Sequence, residues 1–254
     1  MPRFFINNPE ESLRDGVITI VGEDARHISR SLRMKVGESL TVSDFFGNEY
    51  RCEIGGFTDE TVTLNVLETG RCESEPNIKV TIYQALPKGD KMDTVVQKCT
   101  ELGASGFVPV LTSRCISRPD DKGARKKCER WQKIAQEAAK QSGRGAIPKV
   151  GEVINFDRAL SEMSACTLAL MCYECEDGYS LRSCISEAVS EGRLCEGASV
   201  AIFIGPEGGI SPEEAESASK KGIRLVGLGK RILRTETAPL FAVSAVMLLT
   251  GNAE

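Results

Sequence analysis

The stretch Val200-Ala201-Ile202-Phe203-Ile204-Gly205-Pro206-Glu207-Gly208-Gly209-Ile210 decides the fold. Its first half is a short, unbroken apolar run, which reads as a strand covered on both faces, as in parallel sheets. Its second half is a glycine-rich turn. Ligands of open α/β sheets bind beyond the carboxyl ends of strands, and this loop stands at such an end. The glycines let a ligand approach the backbone and leave N–H groups facing it, Pro206 stiffens the turn, and Glu207 puts a carboxylate into it. A tight strand-to-helix turn without a ligand also accounts for the glycines. The pattern is neither a P-loop, which closes on G-K-[ST], nor G-x-G-x-x-G.

Downstream, Ser211-Pro212-Glu213-Glu214 opens a helix, with Ser211 as N-cap, Pro212 at the first position and Glu214 completing a capping box. Further on, Leu228-Gly229-Lys230-Arg231-Ile232-Leu233-Arg234-Thr235-Glu236-Thr237-Ala238-Pro239 joins the last strand to the last helix. Thr237 and Pro239 suit a helix start, and a local Arg234–Glu236 salt bridge explains part of the rest. Neither explains the cations Lys230, Arg231 and Arg234 just upstream of a helix N-terminus, where the macrodipole disfavours positive charge. An anionic ligand does. Upstream, Leu86-Pro87-Lys88-Gly89-Asp90-Lys91-Met92-Asp93 follows another strand and by itself is a capped helix start.

Around these segments the chain alternates strand and helix. Strands are predicted at 79–85, 106–110, 166–171, 199–204 and 223–228. Helices are predicted at 90–102, where Met92, Val95, Val96, Cys99 and Leu102 form one stripe, at 124–141 and near 239–249. This is an α/β domain with a parallel sheet covered on both faces. Residues 1–70 differ. Apolar runs at 17–21, 39–42, 51–54 and 61–67 are separated by Gly47-Asn48 and Gly55-Gly56, with one short helix at 24–32 placing His27, Ile28 and Leu32 on one face. They read as a small barrel. The polar segment 68–77 marks the boundary, giving domains 1–72 and 73–254.

Composition narrows the function. With 254 residues, 41% apolar and 27% charged, the chain is neither disordered nor fibrous. The longest apolar helix candidate is short of the ~18 residues that a membrane span needs, and the N-terminus has no apolar run of signal-peptide length, so a cytoplasmic protein is expected. Net charge is −4, but residues 112–150 carry 11 Lys/Arg against 4 Asp/Glu, and residues 220–234 carry six cations and no acid. A polyanion responds to such local fields, not to the sum. Ten cysteines without an export signal read as core thiols. Cys172 and Cys175 form the one C-x-x-C, and His27 is the one histidine, too few ligands for zinc; no metal site is expected. A thioredoxin-like redox centre would require a depressed thiol pKa at Cys172.

These motifs, in this order, resemble the bacterial ribosomal RNA small-subunit methyltransferase E family nearly end to end. The resemblance runs through Pro2-Arg3-Phe4-Phe5, His27 with Arg30-Ser31-Leu32-Arg33, Val36-Gly37-Glu38, the segment at Leu86 to Lys91, Thr100-Glu101-Leu102-Gly103, Arg130-Trp131 with Ala135-Gln136-Glu137-Ala138, and Gln141-Ser142-Gly143-Arg144. It continues through the glycine-rich loop and the segment from Leu228 to Ala238. Cys172 and Cys175, flanking Tyr173-Glu174, depart from the family pattern.

The resemblance implies an N-terminal PUA-like, RNA-binding β-barrel and a C-terminal SPOUT-type α/β domain with a deep trefoil knot, assembled as a homodimer. It implies methylation of N3 of a uridine in 16S ribosomal RNA, with S-adenosylmethionine as cofactor. Methylation of another RNA such as tRNA, and a catalytically inactive RNA-binding protein, are the alternatives. Cofactor contacts are expected from Leu170, Met171, Ile204, Gly205, Pro206, Glu207, Gly208, Gly209, Leu228, Gly229, Arg231, Ile232, Leu233 and Arg234. Uracil N3 is a poor nucleophile until it loses its proton. Arg234 is expected to stabilise the anion or contact its phosphate, and Glu207 or Glu236 to take the proton. RNA contacts are expected from Arg3, His27, Arg30 and Arg33 in the small domain, and from Lys88, Lys91, Arg114, Arg118 and Arg144 in the large one.

Overall fold

A computed structural model describes residues 1–6, 12–44, 46–176 and 178–253. They form two compact units: residues 1–75 with 139–147, and residues 76–138 with 148–254.

In the first unit, β1 (Arg3–Ile6), β2 (Leu13–Arg14), β3 (Val17–Val21), β4 (Ser39–Asp44), β5 (Asn48–Phe57) and β6 (Thr61–Arg71) make one sheet in the order β1-β4-β5-β6-β3-β2. Strand periodicity selects its core: in β3, Ile18 and Ile20 point inward and Thr19 and Val21 outward. Gly47, at φ 82, serves the β4–β5 turn as expected. Gly55-Gly56, expected to be a turn, instead lies inside β5 at a register shift. A bulge needs the same missing side chains as a turn. The expected helix at 24–32 is α1 (Gly22–Arg26) followed by a π turn, His27–Ser31. The π turn breaks the expected shared face: Ile28 is buried, but His27 and Leu32 are exposed.

The segment 139–147 lies far from this unit in sequence. It is fastened by the Glu75 carboxylate, which accepts from Arg144 Nε (3.0 Å) and Nη2 (2.7 Å) and from the N–H groups of Gly145 (2.8 Å) and Ala146 (3.0 Å). The sequence boundary at 72/73 carries no sign of this addition.

The second unit alternates strands and helices: β7 (Lys79–Ala85), α2 (Lys91–Glu101), β8 (Gly106–Leu111), α3 (Asp121–Gln141), β9 (Lys149–Val150), β10 (Ile154–Asn155), α4 (Phe156–Met163), β11 (Leu168–Cys172), α5 (Leu181–Ser190), β12 (Ser199–Ile204), α6 (Pro212–Lys220), β13 (Arg224–Val226) and α7 (Ala238–Leu249). Its sheet runs β10-β8-β7-β12-β11-β13, with β9 beside β8, and every pairing is parallel. The apolar run of β12 is the reason for its central place between β7 and β11, buried by both faces of the fold. The predicted stripe of α2 is buried at Met92, Val95, Val96 and Cys99. From β7 the chain builds through β8 to β10 at one edge; β11 lies on the other side of β7, β12 fills the place between them, and β13 takes the far edge.

After β13 the backbone passes close under an earlier loop. Gly227 donates to Tyr179 O (2.9 Å) and accepts from the Leu181 N–H (3.0 Å). The carbonyl of Glu176 stands where a Cβ on Gly227 would be. The chain then returns to the end of β12 before entering α7. Among the described residues, no helix is long and apolar enough to cross a membrane.

Candidate active site

Beyond the carboxyl ends of β11, β12 and β13 lies a cavity of about 640 Å³, within the range of about 300–1,000 Å³ of small-molecule sites. Cys172 to Glu174, residues 204–209 and residues 227–236 line it, with Lys91 entering from the start of α2. It sits outside the carboxyl ends of parallel strands, where open α/β sheets take ligands.

The glycine-rich loop forms one wall. Gly209 has φ 69, a left-handed backbone that favours glycine, and the Glu174 carboxylate occupies the space beside its Cα. The loop is also tied to its neighbours. Thr235, buried, donates through Oγ1 to the Gly205 carbonyl (2.7 Å) and accepts from Gln84 Nε2 (3.0 Å), which joins β7, β12 and the 228–237 segment. Gln84 was not among the residues expected from sequence. A glutamine inside the apolar strand β7 was the available signal, because a buried polar group needs a partner.

The charged groups are unevenly satisfied. Burial alone would raise the Glu207 carboxyl, but hydrogen bonds from Lys91 and from backbone N–H groups outweigh it and hold it below the usual carboxylate range. Oε1 of Glu207 accepts from Lys91 Nζ at 2.7 Å and from the Lys88 N–H at 3.0 Å. Glu236 is different. Its Oε2 is buried and makes no hydrogen bond, its nearest cation being Lys91 Nζ at 3.8 Å. The expected Arg234–Glu236 pair is loose, Nη1 to Oε1 at 4.0 Å, and the Arg234 side chain is 83% exposed.

Of the residues expected to hold a cofactor, Ile204, Gly205, Pro206, Glu207, Gly208, Gly209, Leu228, Gly229, Arg231, Ile232, Leu233 and Arg234 all line the cavity. Leu170 and Met171 do not: both are fully buried within β11, and the lining passes to Cys172 and Tyr173, where the strand ends. Ile232 is 90% exposed, at the rim and not in the interior.

The expected RNA contacts divide more sharply. His27, Arg30 and Arg33 are exposed, with the His27 ring edge-on to Phe4 at 6.1 Å. Lys88 is exposed as well. Arg144 is corrected: its side chain is 4% exposed and forked onto Glu75, so its charge is not presented to a phosphate. Arg3 is held by Ser43 Oγ (2.7 Å) and Glu49 Oε2 (2.9 Å). Lys91 turns into the cavity onto Glu207. Arg118 Nη2 donates to the carbonyls of Thr112 (2.8 Å) and Ser113 (3.2 Å). Arg114 Nη1 donates to those of Gly208 (2.9 Å) and Ile210 (3.3 Å), and both Arg114 and Arg118 are exposed while making these bonds.

The redox alternative loses its support. Burial pushes the Cys172 thiol up to about 12, the opposite of an activated thiolate. Cys172 and Cys175 are both free thiols, and among the described residues no group of His, Cys, Asp and Glu is arranged to hold a metal ion.

Comparison with known proteins agrees with this geometry. Residues 73–247 match the RNA methyltransferase domain, and residues 20–67 the RNA methyltransferase PUA domain. The ribosomal RNA small subunit methyltransferase E of Bacillus subtilis (strain 168) is 39% identical over 251 residues, covering 98% of this chain and 97% of its own. A protein of the same name from Synechocystis is 33% identical over 240 residues, covering 94% and 75%. Among solved structures, a ribosomal RNA small subunit methyltransferase E from Neisseria gonorrhoeae bound to S-adenosyl methionine has a TM-score of 0.81 at 32% identity, covering 98% of each chain. With its RNA methyltransferase and PUA domains in this order, the chain belongs to the ribosomal RNA small subunit methyltransferase E family.

Proposed function

We propose that the protein transfers a methyl group from S-adenosylmethionine to N3 of a specific uridine in 16S ribosomal RNA. One observation carries the reading: a cavity at the carboxyl ends of parallel strands joins a glycine cradle to a buried carboxylate oxygen, Glu236 Oε2, that has no hydrogen-bond donor. The residues present fit the cofactor. The cavity has the volume for it, the cradle would offer backbone groups to its adenine, and Arg231 and Glu207 would suit the carboxylate and ammonium of its amino-acid end. Bound there, S-adenosylmethionine supplies an electrophilic methyl group.

The protein's own residues must then make the uracil nitrogen nucleophilic. Glu236 receives the N3 proton, because its carboxylate takes only loose ion pairs, with Lys91 at 3.8 Å and Arg234 at 4.0 Å, while Glu207 is hydrogen-bonded by the Lys88 N–H and Lys91 Nζ. Arg234, exposed at the rim, stabilises the negative charge left on the base or holds its phosphate. The exposed Arg30 and Arg33 of the first unit supply phosphate contacts.

The remaining family features extend the proposal. The path of Gly227 against Glu176, Tyr179 and Leu181, with the return to Gly205 through Thr235, supports a knotted threading. The exposed Phe241 and Leu248 on α7 support a homodimer. The substrate places the reaction in the cytoplasm, on RNA in the small ribosomal subunit.

The test is transfer from labelled S-adenosylmethionine to ribosomal RNA lacking the modification, naked and as assembled small subunits, read by nucleoside mass spectrometry. The expected product is 3-methyluridine. Cofactor binding without that product would move the substrate to another RNA such as tRNA. Failure to bind the cofactor would leave an inactive RNA-binding protein.

A further inference from the structure

The arginines after β8 belong to the density of positive charge that sequence reading assigns to RNA. Arg114 is engaged elsewhere. One nitrogen of its guanidinium, Nη1, takes the carbonyls of Gly208 and Ile210 together, at 2.9 and 3.3 Å. Gly208 lies so close that a Cβ on it would stand 3.2 Å from Arg114 Cβ and 3.5 Å from the Arg114 carbonyl oxygen. Gly208 and Gly209 line the cofactor cavity; Arg114 does not. The guanidinium therefore grips the loop through its backbone without itself lining the cavity.

The neighbourhood of Arg114 is braced for this. Arg118 Nη2 closes onto the Thr112 and Ser113 carbonyls, fixing the loop that carries Arg114. The Ser113 N–H donates to Glu214 Oε1 (2.8 Å), and Glu214 Oε2 accepts the Ser211 N–H (3.0 Å) where the glycine loop enters α6. Within the loop, the Gly209 N–H closes a turn on the Pro206 carbonyl at 2.9 Å. With the Gly208 carbonyl held by Arg114, both ends of the peptide unit joining Gly208 to Gly209 are fixed. Gly209 sits at φ 69, and a glycine-rich turn without such restraint samples many conformations. Ordering it on binding would cost affinity, and prior ordering removes that cost.

We infer that Arg114 is a positioning residue for the cofactor, holding the Gly208–Ile210 turn in its binding conformation, and that it is not an RNA-phosphate contact. The inference rests on the cofactor reading above. Arginine suits the task because its planar, weakly hydrated guanidinium holds its donors in fixed directions and loses little solvation on binding carbonyls, whereas a lysine ammonium is shorter in reach and more strongly hydrated.

Full-length wild type, Arg114→Ala and Arg114→Lys are titrated calorimetrically with S-adenosylhomocysteine, the inert product of methyl transfer. They are also titrated with unmodified 16S RNA at several salt concentrations. Thermal melts and circular dichroism confirm the fold; Arg114→Lys fills most of the same space and carries the test if the alanine variant does not fold. Arg114→Ala is expected to bind the nucleoside about tenfold or more weakly, as for loss of hydrogen bonds from a charged donor. Arg114→Lys should fall between it and wild type. RNA affinity should stay within about twofold with an unchanged salt slope, and in turnover KM for the cofactor should rise while KM for RNA does not.

Wild-type nucleoside affinity in both variants overturns the inference alone. So does weakened RNA binding with a salt slope reduced by about one. A wild-type protein that binds no S-adenosylhomocysteine overturns the cofactor reading, and this inference with it.

Discussion

Glu207 and Glu236 stand on either side of Lys91, and their surroundings give the two carboxylates different chemistry. Glu207 has two donors on one oxygen, Lys91 Nζ at 2.7 Å and the Lys88 N–H at 3.0 Å, and its carboxyl is held below the ordinary range. A carboxylate so stabilised is a weaker base and a better strut. Glu236→Gln should therefore lower kcat by about 10²–10⁴-fold, the usual worth of a general base, and leave S-adenosylhomocysteine affinity near wild type. Glu207→Gln should act mainly on KM and on stability. A depressed folded-state pKa stabilises the protein above the ordinary carboxylate pKa, and that stability disappears as pH falls through the depressed value. The melting-temperature gap between wild type and Glu207→Gln should be full near neutral pH and shrink progressively as pH falls below the ordinary carboxylate range. A gap that widens as pH falls would show that the ion pair is not its source. Sequence identified both glutamates as candidates. It did not rank them, because the Lys88 N–H and Lys91 Nζ reach Glu207 only through the fold.

Helix starts show where local sequence suffices. The capping box of α6 is present as expected: Ser211 Oγ accepts the Glu214 N–H at 3.2 Å, and the Glu214 carboxylate accepts the Ser211 N–H at 3.0 Å. The start of α7 looked similar, and Thr237 is its N-cap residue, yet its side chain makes no capping bond. Backbone closes that turn instead, with the N–H groups of Thr237 and Ala238 both on the Arg234 carbonyl at 2.8 and 2.9 Å. Ser211→Ala should cost about 1 kcal/mol, a melting shift of roughly 2–4 °C for a chain of this size. Thr237→Ala should cost less than about half of that, within the range of a surface substitution. Scanning calorimetry of the two variants decides it, and equal shifts would contradict the difference in capping. Elements without such local signals escaped the reading. The two-residue strands β9 and β10 exist only by pairing with β8, and β1 only by lying parallel to β4, in a register that sets Arg3 beside Thr41.

At the scale of the whole molecule, the alternation of apolar runs was enough to assign a parallel α/β unit and a β-rich unit. Period and turn chemistry act within a few residues, and those signals are local. The membership of residues 139–147 in the first unit was not legible, because it depends on Glu75 reaching Arg144 across 69 positions. The same long-range pairing redistributes charge. Clusters of cations in the sequence suggested an RNA surface spread over both units, but Arg3 and Arg144 are paired internally and Arg114 and Arg118 serve backbone carbonyls. Arg30 and Arg33 remain exposed on the π turn and just after it. Arg33 holds a left-handed backbone at φ 53, a conformation that alanine shares at similar cost, so an alanine variant removes charge without changing the turn's preference. The double variant Arg30→Ala/Arg33→Ala should bind 16S RNA more weakly, with the slope of log affinity against log salt reduced by about 0.7–0.9 for each phosphate no longer neutralised. Every residue lining the cofactor cavity belongs to the second unit, so affinity for S-adenosylhomocysteine should not move. A filter-binding series between about 50 and 200 mM salt measures the slope, and calorimetry measures the nucleoside. An unchanged slope would remove Arg30 and Arg33 from the RNA surface. A fall in nucleoside affinity would mean that the two units do not divide recognition and chemistry between them.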